Sequence, residues 1–467
     1  MFPAETYTER RQALISTMNS FGATGVLLFI GLEEVPMNYC GNTYSFHQDG
    51  SFSYFWGLGE SSLAAVIDLD SHDEILFCDE RSIDDEIWMG PLPLPADRAG
   101  LAGVHQTHPT KELAAYLQSA CNARRHVHVL PPYRARTTQT LDRLLGADTR
   151  SWKARASADF IRAVVKLRSI KSSAEIAEIE KALDISHAMY TRAFGRIVPG
   201  RFEREIVGAM EGAVLEVGSR TSFPTICSVR GEILHNHNHA NIMRKGDLLV
   251  LDSGAESSLG YSSDITRTVP VSGKFTPAQR EIYEIVLAAQ TTAIKMIRPG
   301  IFFRDVHIAA ARVIASGLKQ AGLLKGNPDD AVEAGAHALF FPHGLGHMIG
   351  LDVHDMESLG EDFVGYDEET TRSEQFGLAY LRLARRLQTD FTVTVEPGIY
   401  FIPALIDIWR NEARHRDFID YDRVAAFRGF GGIRIEDDVV VTSEGSRVLG
   451  KPIPKTVAEI EASFLNT

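Results

Sequence analysis

The sequence predicts an α/β chain in two domains: a small α/β domain over residues 1–165 and a larger, duplicated α+β domain over 166–467. Three observations carry that expectation. First, the opening 160 residues alternate apolar runs of strand length with helical stretches. VLLFIG at 26–31, SLAAVIDL at 62–69, EILFCDE at 74–80 and HVHVL at 126–130 are the strands, and Lys111 to Ala123 is a helix. Second, Ser172 and Glu175 form a capping-box pattern ahead of Ile176, Ile179, Leu183, Tyr190 and Phe194 at helical spacing. The segment Val165–Ser173 before it reads as the linker. Third, AFGRIVPG at 193–200 recurs as AIKMIRPG at 293–300. Each copy precedes a second helical stretch, near 202–217 and 304–322, then a His-bearing segment and carboxylate-bearing strands. That agreement argues for duplicated halves with a site between them.

Composition narrows the function. The 467 residues carry a net charge of −13, which excludes a nucleic-acid or anionic-membrane partner, since both need clustered Lys and Arg. No apolar run reaches the ~18 residues of a membrane span. The N-terminus MFPAETYTERRQAL has no apolar h-region. Cys40, Cys78, Cys121 and Cys227 are widely spaced, so reduced thiols in a cytoplasm are expected rather than a disulfide framework.

The chemistry is in the carboxylates. LLVLDSGAESSLGYSSDITRTVPV at 248–271 reads as two strands around a Gly/Ser turn, carrying Asp252 and Asp264. Antiparallel pairing could aim both at one side, where only a cation relieves their repulsion; the alternative is two turn aspartates. TVTVEPGIY at 392–400 ends a strand in Glu396, and GGIRIEDDVVV at 431–441 reads as one strand with Arg434 and Glu436 on a shared face. Acids in such strands are costly unless they bind something, although Asp437 and Asp438 could be solvated where the strand exits. HGLGHMIGLDVHD at 343–355 holds three histidines among glycines and apolar residues. LHNHNH places His235, His237 and His239 on one face if it is a strand, with one of them expected to work. Carboxylates with an imidazole suit manganese, cobalt or zinc, with ligands enough for two ions about 3.5–4 Å apart. No Ser/His/Asp elbow, phosphate-binding loop or HExxH is present.

Together the motifs ILH at 233–235, LDSGAESSLGYSSDITRT at 251–268, PHGLGHMIGLDVHD at 342–355, TVEPGIYFI at 394–402 and FGGIRIEDDVVVT at 430–442 resemble the pita-bread metallopeptidases, in the prolidase and aminopeptidase P branch. The resemblance covers nearly the whole chain and implies a creatinase-like N-terminal domain before a pita-bread catalytic domain. It implies metal ligands Asp252, Asp264, His347, Glu396 and Glu436, with Asp264 and Glu436 bridging two divalent ions, manganese being the expected metal. Glu396 would also shuttle a proton. His235, His343 and His354 would line the site and orient the scissile carbonyl, with Arg434 behind them. YLRLARRL at 380–387 resembles a stretch whose arginine, here Arg382, takes a dipeptide's carboxylate; the alternative is a solvated amphipathic helix. DEIWMG at 85–90 resembles a segment whose tryptophan, here Trp88, caps a neighbouring subunit's site in a homodimer or homotetramer; the alternative is a core tryptophan.

Two departures stand out. Asp252 and Asp264 are twelve positions apart, one more than the family's usual pattern, and Thr389-Asp390 replaces a usual Pro-Gly. The extra residue is expected to be absorbed in the turn or a bulge. The implied activity is hydrolysis of the Xaa–Pro bond at a peptide's N-terminus. An Xaa-Pro dipeptidase is slightly favoured by Arg382 and the long insert between Glu396 and Glu436, over an aminopeptidase taking longer peptides. A metal-free pita-bread binding module, or a metal-free C–N hydrolase, is disfavoured because all five ligand positions are kept.

Overall fold

The computed structural model describes residues 1–148 and 150–464. They form two compact units. One comprises Met1–Arg168 with Met356–Phe363, and the other Ser169–Asp355 with Val364–Thr467.

The first unit is built on a five-stranded mixed sheet. Its strands run in the order Gln106–His108, Glu74–Phe77, Ala64–Asp68, Val26–Ile30 and Val127–Val129. Val26–Ile30 pairs antiparallel with Ala64–Asp68 and parallel with Val127–Val129. The central strands Val26–Ile30 and Ala64–Asp68 are largely apolar because both faces are covered. Val26, Leu28, Val66, Phe77, Leu117 and Trp152 form one core. The segment expected to link the domains is different: a helix runs from Ala158 through Ser169, leaving only a short irregular step before the next helix.

The second unit shows the duplication in its backbone. Helices Ser173–Phe194 and Glu203–Glu216 open one half, and Pro277–Met296 and Phe303–Gln320 open the other. Both long helices begin with a capping box, Ser172 with Glu175 and Thr276 with Gln279. Gly200 and Gly300 both adopt positive φ, +96° and +84°, which the tight turn of each PG step requires. The equivalence extends to hydrogen bonds. Gly200 N–H donates to Met243 and Gly300 N–H to Leu387. Phe202 bridges Ile242, and Phe302 bridges Arg386. Glu203 N–H donates to Asn241 and Phe303 N–H to Arg385. Each half thus grips one loop at the start of its second helix.

The strands that follow position the site. Ile226–Ser228, Leu248–Ser253 and Ile265–Pro270 form one antiparallel sheet. Thr392–Val395, Asp437–Val441 and Ser446–Val448 form another, with Gly398–Tyr400 and Gly432–Arg434 paired beside it. The expected single strand over 431–441 is therefore two, split at Ile435-Glu436. The break lets Glu436 N–H donate to Thr266 C=O across the halves, 3.0 Å away.

The extra residue between Asp252 and Asp264 causes no bulge. Ser253 opposes Ile265, and Glu256 still opposes Ser262 in the same register. The surplus falls in the tip, where Ser257 N–H donates to Tyr261 C=O and Gly260 takes φ +81°. Because an even separation keeps two residues on one face of a regular hairpin, Asp252 and Asp264 share a face with Thr266, which opposes Asp252. Gly254 lies between them on that face, where a Cβ would overlap the Ser263 carbonyl oxygen.

Candidate metal centre

A cleft of about 310 Å³ in the second unit is lined by Asp252, Asp264, His347, Glu396 and Glu436. His235, His343, His354, Arg382 and Arg434 line it too. Ten of the eleven residues given roles by the resemblance thus meet in one place. Trp88 is the other: it stands in the first unit on the short helix Ile83–Met89 and is 83% exposed, not a core side chain.

The innermost cluster is Asp264, His347 and Glu436, each offering a ligand atom within 4.8 Å of the others. His347 Nε2 is 3.4 Å from Asp264 Oδ2 and 3.6 Å from Glu396 Oε1. Its Nδ1 is 3.0 Å from Met348 C=O, which can only accept, so Nδ1 donates there and Nε2 is the nitrogen that faces the carboxylates. Thr266 Oγ donates to Glu436 Oε2 at 2.6 Å and fixes that carboxylate.

The electrostatics require a cation. Burial, then the charges of Asp252, Asp438 and Glu396, push the Asp264 carboxyl well above its ordinary range. Burial, then the charges of Asp264, Glu396 and Asp252, push Glu436 well up, and burial raises Glu396. Asp252 Oδ1 and Asp264 Oδ1 are buried without a hydrogen-bond partner. Buried acceptors of this kind are expensive unless something electropositive meets them. The donor set of oxygens and one imidazole nitrogen fits a divalent ion such as manganese, cobalt or zinc.

A chain of hydrogen bonds runs from the histidine wall to Asp252. His343 Nδ1 lies 2.8 Å from Gly344 C=O and so donates, leaving Nε2 to accept the Tyr400 O–H at 2.9 Å. Tyr400 oxygen accepts from Arg434 Nη1 at 2.9 Å, and Arg434 Nη2 ion-pairs with Asp252 Oδ2. Burial and the Arg434 charge hold His343 neutral, its pKa down to about 3. Burial outweighs the Arg434 contact at Tyr400 and holds the phenol near 12, so it stays protonated. His354 stacks on His347 with ring centroids 3.9 Å apart.

Other expectations are corrected. The LHNHNH segment is a loop, not a strand: His235 and His237 line the cleft, while His239 Nε2 meets Thr225 C=O at 3.0 Å. Asp437 and Asp438 are buried, not solvated. Asp437 pairs with Arg267 at 2.7 Å and with Lys455, and Asp438 accepts from Asp264 N–H at 3.0 Å. Residues 380–387 are no amphipathic helix; past a short turn ending at Tyr380 the chain is irregular, and the bridge from Phe302 to Arg386 holds it. Tyr400 and Thr266 went unnoticed in the sequence, although both sit inside motifs quoted for their acids. The available signal was alternation, which puts Thr266 on the Asp264 face. Tyr400→Phe is expected to free His343 and Arg434 together and to lower kcat/KM about 10–100-fold with metal content unchanged; kinetics beside metal analysis checks it.

A fold of duplicated halves around a carboxylate–imidazole cluster defines a metallopeptidase. The family model "Metallopeptidase family M24" matches residues 177–443 and "Aminopeptidase P, N-terminal domain" matches 7–130, and the chain belongs to metallopeptidase family M24. It is 34% identical to the Xaa-Pro aminopeptidase of Escherichia coli, over 98% of this chain and 97% of that one. It is 31% identical to the Xaa-Pro dipeptidase of Mus musculus, over 98% and 93%. Pseudomonas aeruginosa aminopeptidase PepP superposes with a TM-score of 0.82 at 29% identity, over 100% and 99% of the two chains. A Zn-substituted E. coli aminopeptidase P in complex with product gives 0.80 at 31%, again over 100% and 99%. The fold is thus the expected one, a creatinase-like N-terminal domain with a pita-bread domain. No helix among the described residues is long and apolar enough to cross a membrane.

Proposed function

We propose that the chain hydrolyses the peptide bond before proline at a peptide's N-terminus, with Xaa-Pro dipeptides preferred. One observation carries the preference. Arg382 lines the same cleft as the ligand cluster, and its charge acts on Glu396, His235 and His343. A guanidinium so placed suits the free carboxylate of a substrate that ends one residue past the cut. The match to an Xaa-Pro aminopeptidase supports the second reading, in which longer peptides are taken.

Asp252, Asp264, His347, Glu396 and Glu436 would hold two divalent ions, with manganese the expected metal. Bound there, such ions polarise a carbonyl and make water nucleophilic near neutral pH. Glu396, whose carboxyl burial already raises, is suited to take a proton and return it to the proline nitrogen. Neutral His343, its nitrogens engaged by Gly344 and Tyr400, walls the site with Nδ1 3.9 Å from Glu396 Oε2, and His235 and His354 orient the substrate carbonyl. Arg434 holds Asp252 in its place. On the first unit, Ile83, Ile87, Trp88 and Met89 are each at least 65% exposed on one short helix, which supports association with a second copy.

Proline release from Gly-Pro with Mn²⁺, run beside Gly-Pro-Pro, tests the reading. At least tenfold faster turnover of the dipeptide is expected. Faster turnover of the tripeptide would overturn the dipeptide preference in favour of the aminopeptidase.

A further inference from the structure

The loop that carries His235 is closed at both ends by one buried side chain. Glu203 is the first residue of the helix Glu203–Glu216 and is 0% exposed. Its Oε1 accepts from Val229 N–H at 2.7 Å and from Asn241 Nδ2 at 3.1 Å. Its Oε2 accepts from Asn241 N–H at 3.2 Å and from Asn241 Nδ2 at 3.0 Å. Val229 and Asn241 are the two ends of the segment that bears His235 and His237. The backbone ties it further: Glu203 N–H donates to Asn241 C=O and Arg204 N–H to His239 C=O.

All four contacts on the carboxylate are N–H donors, so the position requires a group that only accepts. In the second half the equivalent residue is Phe303, also 0% exposed, whose N–H donates to Arg385 in the segment following Arg382. The backbone grip is therefore common to both halves, and the carboxylate is an addition peculiar to the half that presents imidazoles. A helix first turn also favours an anion there. Between those ends the segment is turn and irregular chain, held also by Asn236 Nδ2 donating to Ser228 Oγ at 2.9 Å and by His239 Nε2 at 3.0 Å from Thr225 C=O. Gly231 packs closely as well: a Cβ there would meet Val250 Cγ2 at 2.6 Å and Gly432 C=O at 2.7 Å.

We propose that Glu203 is a positioning residue, whose carboxylate pins Val229 and Asn241 and so sets His235 in the cleft. This rests on the role given to His235 above. Displacing a side chain by about 1 Å can cost on the order of 100-fold in rate, so the clamp acts at a distance from the chemistry.

The test combines hydrogen–deuterium exchange of residues 229–241 with kinetics on Gly-Pro, using the metal-loaded full chain. Glu203→Gln puts an NH2 among donors. Exchange across 229–241 is expected to quicken at least tenfold, and kcat/KM to fall about 10–100-fold, mostly in kcat, with metal content unchanged. Glu203→Asp keeps a group that only accepts and is expected to retain more of the kcat than Glu203→Gln, which a general loss of stability would not require. If Glu203→Gln does not fold, Asn241→Ala removes both Nδ2 contacts and carries the same expectation. Unchanged exchange at 229–241 overturns the clamp, and quickened exchange with kcat/KM within twofold of wild type overturns the positioning role. A wild-type enzyme inert on Gly-Pro and on longer peptides defeats the functional reading instead, and the exchange arm still decides the clamp.

Discussion

Replacing Glu396 by glutamine is expected to lower kcat about 100- to 10,000-fold while the protein keeps bound metal. The separation of the two effects follows from the geometry. Asp264, His347 and Glu436 form the tight ligand cluster without Glu396. Glu396 stands at its edge, 3.6 Å from His347 Nε2 and 3.9 Å from His343 Nδ1. Its carboxyl is raised above the ordinary range, largely by burial, with the His347, Arg434 and Arg382 charges opposing that shift. A carboxyl in that environment can both accept and return a proton, which an amide cannot. Metal analysis of the purified variant beside Gly-Pro hydrolysis checks the expectation. Activity within tenfold of wild type would remove Glu396 from the proton transfer. Metal lost together with activity would make it chiefly a ligand.

Stripped of metal, Asp264→Asn is expected to be more stable than the wild type, by about 3 kcal/mol at neutral pH. Asp264 shares its surroundings with Asp252, Asp438, Glu396 and Glu436, whose charges Arg434 opposes. Neutralising one member removes the cost of burying that charge or of holding a proton against the carboxyl's ordinary affinity. The sign with pH follows from the raised native pKa. Above the ordinary carboxylate range the unfolded chain releases protons that the native cluster retains, so stability of the stripped wild type falls as pH rises. The variant loses that term and is expected to show a flatter profile. With Mn²⁺ added the order reverses, because only the wild type gains the binding energy. Thermal melts with and without chelator, from pH 5 to 8, read this directly. A stripped variant no more stable than wild type would show that the carboxylates are already relieved within the fold.

Much of the centre was legible because its acids contradict their surroundings. Asp252, Glu396 and Glu436 interrupt β-branched apolar runs, where a carboxylate has no reason to lie unless it binds something. The histidines of 343–355 could be noticed for the same reason. The roles of neighbours were not legible, because they depend on which strands pair. Asp437 and Asp438 look like a polar strand end, and only the pairing of the two halves buries them against Arg267 and the Asp264 amide. Tyr400 looks like an ordinary strand aromatic until Gly398–Tyr400 pairs with Gly432–Arg434 and its hydroxyl meets both His343 and Arg434. The LHNHNH alternation imitates a strand, but Glu203 captures the backbone and side chain of Asn241 and closes the segment as a loop. Trp88 shows the limit of composition: a tryptophan is a core residue by default, and only the resemblance of DEIWMG to a subunit-capping segment points to the exposed helix found.

The matched grips at Gly200–Phe202 and Gly300–Phe302 have an evolutionary side. Two copies of one framework hold two unlike fingers, one tipped with imidazoles and the other with a guanidinium. Since each finger is fastened to its own half, either can drift in length or chemistry without disturbing the hairpin acids beneath. A peptide has two chemically different ends, and unlike fingers on matched frames offer each end a different chemistry. Under the proposed function, changes confined to a finger would retune selectivity without touching the hairpin that carries Asp252 and Asp264.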